Sequence, residues 1–370
     1  MEIDDEIHGK VALSPVCAAF YRHPHFERLR RVRQMGSGWL VFPNATHTRH
    51  EHSVGVCHLA GRMLDALGVR DPALREPVLV AALYHDTGHA PFSHTFDRFG
   101  EVRFEHEARS QHLLLAAFED LRREGHPALR EAGFGEASAR RAARLIDPPP
   151  GPDGSAEAYL EQIVSNRDVI DVDKLDYLMR DCSRLTGQPL DIDVYGLIDR
   201  CAVCGGRLTF DLADREAVRR LLDRRTRFHR LYYCHTAVEA SGWMLAQLTH
   251  AYLHHHCVLY DDLDSFCCAV SEIDDTIYER LLARPRHPLH GMAKRIQKKR
   301  WIRHVRDSYH RPAARESRNL VVIEWDVEVS RHTSHNALHL IPFHDRGQPV
   351  PPPPAPDPRG ALVYRVFRHP

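Results

Sequence analysis

"ALYHDTGHAPFSHTFD", residues 82–97, crowds His85, Asp86, His89, His94 and Asp97 into one short stretch. The apolar run "VLVAALY" leads straight into it, which puts the cluster at the buried end of a helix, where a polar group without a partner is costly. A divalent cation satisfies such a cluster most simply, because neutral imidazole nitrogen and carboxylate oxygen both bind first-row metals. Two adjacent ligands do not make a site. The chain supplies more of the same kind in His52 of "TRHEHSVGV", which opens a helix, and Asp173 of "IDVDKLDYLMRD", at another helix start. His52, His85, Asp86 and Asp173 make a two-His, two-Asp set with coordination positions left over for water or a phosphate oxygen, which is the mark of a catalytic site. His89, one turn after His85, pairs with Asp97 as a carboxylate-oriented imidazole. His94 and the neighbours His106 and Glu107 are expected around the same cavity as proton donors or acceptors.

Bulk composition is less informative. The 370 residues carry 50 Lys plus Arg and 50 Asp plus Glu, so no global field draws the chain to nucleic acid or to a membrane. No apolar run approaches the roughly 20 residues of a bilayer span, and the acidic start "MEIDDEIHGK" is unlike a signal peptide. The expectation is a soluble intracellular protein, cytoplasmic or nuclear, with no membrane partner. Nine irregularly spaced cysteines read as reduced thiols. Cys201 and Cys204 in "CAVCGG" form a C-x-x-C knuckle, but no second knuckle completes four zinc ligands; a Gly-Gly hairpin between short strands is the simpler expectation.

Three- and four-residue apolar spacing predicts a mainly α fold, with helices over "FERLRRVRQM", "HSVGVCHLAGRMLDAL", "PVLVAALYHDTGHA", "EHEARSQHLLLAAFEDL", "DVDKLDYLMRDC" and a long run from Arg215 to Leu253. Residues 1–316 are expected to form the helical core with its extension. "NLVVIEWDVEVS" and "ALHLIPF" alternate as strands do and predict a small β-containing C-terminal lobe over 317–348. "PVPPPPAPDP" marks 349–370 as a proline-rich linker and tail.

His52, then His85-Asp86, then Asp173 resembles the H…HD…D signature of the HD-domain metal-dependent phosphohydrolases. "FERLRRVRQMGSGWLVFPNATHTRHEHSVGVCHLAGRML", "HDTGHAPFSHTFD", "FEHE", "IVSNRDVIDVDKLDYLMRDC" and "RTRFHRLYYCH" together resemble, in order over roughly residues 4–310, the dNTP triphosphohydrolases of that group, especially those that pair a sterile alpha motif with the HD domain. The resemblance implies a helical HD-domain core and hydrolysis at the α-phosphorus of a deoxynucleoside triphosphate to deoxynucleoside and inorganic triphosphate. It implies one divalent transition metal, iron, zinc or manganese, on His52, His85, Asp86 and Asp173, with Mg²⁺ accompanying the substrate phosphates. By the same resemblance Arg49 holds α-phosphate oxygens, and His94 protonates the departing 5′ oxygen with Asp97 nearby. His89, His106 and Glu107 position the attacking water or steady the phosphates. Lys174, Arg225 and His229 match phosphate-binding positions, and Gln34, Tyr177 and Asp181 surround the sugar and its 3′-hydroxyl. Tyr233 crowds the 2′ position, a filter against ribonucleotides of about 1–3 kcal/mol. A homo-oligomer, dimer or tetramer, is implied as well.

The chain also departs from that pattern. Where the resemblance places a guanine-selecting Asp and Gln for an activating nucleotide, Arg22 and Glu27 stand, although Arg30 is kept. An activator-binding lysine falls at Met1, and Asp211 and Ala213 replace basic residues. The expectation is an enzyme that does not require GTP. Cys234 replaces a Gln near the base, which leaves broad dNTP use as the expectation. Two other readings compete. An HD-type phosphodiesterase or nucleotidase acting on another nucleotide or a nucleic-acid end would have no use for Lys174, Arg225 and His229 together. "KRIQKKRWIRHVR", Lys294 to Arg306, reads as a basic helix with a central Trp301, either a solvated or inter-subunit face or, in the competing reading, a face that binds single-stranded nucleic acid weakly through phosphate contacts and stacking.

Overall fold

The computed structural model describes residues 1–99, 104–149, 157–165, 170–255 and 262–300, with further strand segments at 303–308, 320–326, 343–345, 348–350 and 362–368. Two helices form its spine. Arg49–Ala66 begins with a capping box, in which the Thr48 hydroxyl accepts the Glu51 N–H and the Glu51 carboxylate accepts the Thr48 N–H. Val172–Thr186 begins at Asp171, whose carboxylate accepts the Lys174 N–H, and ends at the left-handed Gly187. The two helices approach closely at Gly55, where an added Cβ would lie 1.9 Å from Asp176 Oδ1. Only glycine lets the carboxylates of one helix reach the histidine of the other.

Helix Pro72–Tyr84 is buried from Pro77 to its end, as the run "VLVAALY" dictates, and packs with Arg49–Ala66 and Glu136–Ile146 in one large core that includes Val54, Leu59, Val80 and Leu175. A second core gathers Phe92 and Phe96 with Met244, Leu245, Phe266 and Ile277. It fastens the segment after His89 to the helices Thr236–His255, Leu263–Ser271 and Thr276–Leu282. Among the described residues no helix is long and apolar enough to cross a membrane.

Several expected elements differ. The helix over Pro77–Ala90 stops at Tyr84, and His85 to Gly88 form turns. Gly88 lets this turn lie against the next helix, so closely that a Cβ would sit 2.2 Å from His106 O. "FERLRRVRQM" is not one helix but a short turn Pro24–Glu27 followed by a 3₁₀ turn Arg28–Arg31. The run from Arg215 breaks into Arg215–Phe228, a π-helical turn His229–Tyr233, and Thr236–His255. The basic helix ends at Gln297, and Arg303–Ser308 is a strand, so Lys294 to Arg306 is not a continuous helical face; Trp301 lies outside the described residues.

Cys201 and Cys204 belong to a hairpin. Ala202–Cys204 pairs with Arg207–Asp211 across Gly205 and Gly206, whose φ values of 58° and 74° a tight primed turn requires. Arg207–Asp211 also pairs in parallel with Phe343–Asp345. The C-terminal β structure reaches beyond the span 317–348. Arg303–Ser308 and Leu320–Asp326 flank Leu362–Arg368, so the stretch taken as tail supplies the middle strand of a sheet. The prolines of 349–358 end before the alternating "LVYRVFR" begins.

Candidate active site

The spine helices and the turn after Tyr84 bring four ligand-type side chains to one point. His52 Nε2 lies 3.0 Å from Asp173 Oδ1, 3.2 Å from His85 Nε2 and 3.5 Å from Asp86 Oδ2. His85 Nε2 lies 3.4 Å from Asp86 Oδ2 and 3.8 Å from Asp173 Oδ1. The opposite ring nitrogens are occupied. His52 Nδ1 meets Asp176 Oδ2 at 2.7 Å and His85 Nδ1 meets the Ala82 carbonyl at 2.8 Å. With Nδ1–H donating outward, each ring in its neutral form turns an Nε2 lone pair to the common centre, the arrangement that metal-binding histidines show. The field agrees. Burial alone would push the His52 imidazole down, but the Asp173 and Asp176 carboxylates override it and push it up to about 10. A cation at this centre is what the surroundings favour. Asp86 Oδ2 is shared, since Arg49 Nη1 also reaches it at 2.5 Å.

Behind the ligands stands a buried support. Asp176, 0% exposed, takes His52 on one oxygen and His8 Nε2 at 2.6 Å on the other, with both Nε and Nη2 of Arg180 at 3.0 Å. His8 comes from the loop of the N-terminal hairpin Glu2–Asp5/Gly9–Ala12, and its Nδ1 meets Tyr195 Oη at 2.6 Å.

A second group of imidazoles adjoins the first. His89 stacks on His106 at 4.0 Å between ring centres, and His94 meets both rings edge-on at 4.6 and 5.0 Å. Arg109, fully buried, donates to Asp97 Oδ1 at 2.6 Å. Against the upward push of burial, His89 and Arg109 hold the Asp97 carboxyl well below the usual range. Burial, then the neighbouring His89 and Arg49, push His94 down to about 3. Both ring nitrogens of His89 and Asp97 Oδ2 are buried without a formed hydrogen bond among the described residues. His89 does come within 3.3 Å of Asp86 and 3.5 Å of Asp97.

These groups open on a cavity of about 740 Å³. Arg49, His85, Asp86, His94, Asp97, His106, Glu107 and Asp173 line it, together with Gln34, Lys174, Tyr177, Asp181, Arg225, His229 and Tyr233. His52 and His89 do not line it; they are buried directly behind. The π-helical turn brings His229 and Tyr233 to the same wall by inserting one residue into the helical repeat. Arg225 Nε donates to Tyr177 Oη at 2.8 Å, and Lys174 Nζ pairs with Asp171. Tyr233 donates its hydroxyl to one oxygen of Asp181, and His47 Nε2 meets the other at 2.6 Å. Gln34 Oε1 is buried with no partner among the described residues.

Sequence reasoning missed the supports: Asp176, His8, Arg109, His47, Arg28 and Asp275. Asp176 was within reach, since it follows Asp173 by three residues and must share its helix face. Arg28 and Asp275 carry no local signal. Arg28 is buried and donates to the carbonyls of Thr87, His89 and Ile273 at 2.9, 2.6 and 3.0 Å.

Residues 49–178 match the HD domain family. Over 229 residues, 55% of this chain and 36% of that protein, the sequence is 38% identical to deoxynucleoside triphosphate triphosphohydrolase SAMHD1 of Homo sapiens. It is 33% identical over 255 residues to the SAMHD1 homolog of Dictyostelium discoideum, covering 66% of this chain and 48% of that protein. To the Xenopus laevis SAMHD1 it is 37% identical over 213 residues, 49% of this chain and 34% of that one. The chain thus spans less than half the length of these curated relatives.

Proposed function

We propose that this chain, which carries an HD domain over residues 49–178, hydrolyses deoxynucleoside triphosphates at the α-phosphorus to deoxynucleoside and inorganic triphosphate. The convergence of His52 Nε2, His85 Nε2 and Asp173 Oδ1 within 3.8 Å of one another, at the wall of a cavity that also holds Lys174 and Arg225, carries the proposal. His52, His85, Asp86 and Asp173 would hold one divalent transition metal, iron, zinc or manganese. Bound there, it would supply an acidified water and polarise the α-phosphate. Mg²⁺ would arrive with the substrate phosphates.

The protein's own side chains do the rest. Arg49, braced by Asp86 and by Ser93 Oγ at 2.9 Å, offers its remaining N–H groups to the α-phosphate. His106, 3.1 Å from Glu107, positions the attacking water, with His89 stacked behind it. As the bond from phosphorus to the sugar 5′ oxygen breaks, His94 delivers a proton to that oxygen, and Asp97 keeps the neighbouring rings in place. Lys174, Arg225 and His229 neutralise the triphosphate. Asp181, already accepting from Tyr233 and His47, faces the 3′-hydroxyl with Tyr177 and Gln34, and the Tyr233 ring crowds the 2′ carbon.

The activator positions support independence from GTP. Glu27 forks onto Arg30, with Oε2 2.7 Å from Nε and Oε1 3.1 Å from Nη2, so the one retained cation is already engaged. We take the working form to be a homo-oligomer, a dimer or tetramer. The test is to incubate the protein with dGTP or dATP and Mg²⁺ or Mn²⁺, with and without GTP, and identify the products. Nucleoside plus triphosphate without GTP is expected; monophosphate plus pyrophosphate would overturn the reaction, and strict dependence on GTP the regulation.

A further inference from the structure

His94 sits at the end of a turn whose two preceding residues both adopt left-handed backbone, Phe92 at φ 64° and Ser93 at φ 54°. Neither is a glycine, and L-residues avoid this region because Cβ meets the carbonyl oxygen. Such a conformation persists where surrounding contacts over-determine it. Here the contacts converge on one carboxylate, Asp275, which is 1% exposed and lies far along the chain, outside the segment that matches the HD domain.

Asp275 Oδ1 accepts the Phe92 N–H at 2.6 Å. Its Oδ2 accepts the Arg33 N–H at 3.0 Å, with Arg33 Nη1 at 3.4 Å, and its own N–H donates to the Arg31 carbonyl at 3.0 Å. A cross-link closes the figure, because Ser93 Oγ donates to the Arg33 carbonyl at 2.7 Å. One carboxylate therefore holds two strands of chain, the one that presents His94 and the one that presents Gln34. Both residues line the cavity, and Asp275 does not.

We propose that Asp275 is a positioning residue for the proposed hydrolysis: it holds the Phe92-Ser93 turn and the Arg33 backbone in register so that His94 and Gln34 face one bound nucleotide. The proposal rests on the reading of His94 as the proton donor. It requires an acceptor at each of two positions, which a carboxylate provides and a carboxamide does not, since one of its two atoms is an NH₂ that can only donate. Asp275→Asn keeps the shape and removes one acceptor, leaving either the Phe92 or the Arg33 N–H facing a donor.

The experiment has two arms. Amide hydrogen exchange on Asp275→Asn, with or without any turnover, is expected to show faster exchange confined to Phe92, Arg33 and their neighbours, at unchanged metal content. In dNTP hydrolysis, Asp275→Asn is expected to lower kcat about 10- to 100-fold with KM within about threefold of the parent, a loss of the size that a misplaced group far from the chemistry brings. Combined with His94→Asn it should add much less than its own single loss, because most of its effect passes through His94 and only the share carried by Gln34 remains. Unchanged exchange at Phe92 and Arg33, or a loss that multiplies with that of His94→Asn, overturns the proposal. Full activity in His94→Asn alone would instead overturn the proton-donor reading, and the exchange arm would still decide whether the carboxylate holds the turn.

Discussion

Two clusters of imidazole and carboxylate lie side by side in this molecule, and they are built differently. In the first, every ring has a fixed back: His52 leans on Asp176 and His85 on the Ala82 carbonyl, so the inward nitrogens are set before anything binds. In the second, His89 is stacked on His106 with neither ring nitrogen in a formed hydrogen bond among the described residues, and His94 is pushed down to about 3 by burial, then by the neighbouring His89 and Arg49. The first cluster has the anchored rings that a cation site requires. The second is under-satisfied, and buried polar groups without partners are costly. The one cluster is rigid; the other, whose His94 and His106 line the cavity, is open to a bound group and so responsive.

The comparison can be broken at its responsive side first. His94→Asn removes the only group assigned to the leaving oxygen, and general acids contribute about 10²–10⁴-fold. We expect kcat to fall by that factor with metal content unchanged; a kcat within a few-fold of the parent would remove His94 from the mechanism. The rigid side gives a smaller effect of a different kind. Asp176→Asn replaces one acceptor of a carboxylate that serves His52, His8 and Arg180 at once, which frees His52 to place its proton on Nε2. Loss of such a support costs about 10–100-fold in metal affinity or activity. Metal retained through gel filtration should drop, and excess metal should restore turnover, whereas His94→Asn should not respond to metal at all.

The sequence disclosed the clusters better than it disclosed what holds them. His85, Asp86, His89, His94 and Asp97 announce themselves by density in a segment flanked by apolar residues, and Asp173 by its place at a helix start. The mainly α fold follows from the three- and four-residue spacing. What spacing cannot carry is a partner distant in the chain. Arg28 lies in a stretch with helical periodicity, yet the chain there is wound into short turns, and the Arg28 guanidinium reaches three carbonyls, of Thr87, His89 and Ile273. The long run from Arg215 reads as one helix because a π-helical turn leaves composition unchanged while rotating everything after it. Asp275 looks like any acidic helix start in "SEIDDTIYER", and only the folded chain reveals the two amides that it accepts.

The smallest expected effect is also the most direct measure of responsiveness. Burial, then the neighbouring His89 and Arg49, push His94 down to about 3, and burial with Arg225 and Arg98 does the same for His229. Both rings are therefore neutral at pH 7 in the free protein. Raising the pKa of either ring to 7 requires about four units, or about 5.5 kcal/mol at 1.36 kcal/mol per unit. One phosphate charge at 4 Å supplies about 4 kcal/mol at an effective dielectric of 20, so a triphosphate carrying several charges can supply the whole. Binding should accordingly take up between about one and two protons at neutral pH, and by linkage the affinity should weaken as pH rises. Calorimetry with a non-hydrolysable dNTP analogue, in buffers of different ionisation enthalpy, counts them. His94→Asn and His229→Asn should each remove up to about one proton from that count. Binding of the analogue to the parent protein with no uptake would mean that His94 stays neutral beside the α-phosphate, with no proton to give to the leaving oxygen.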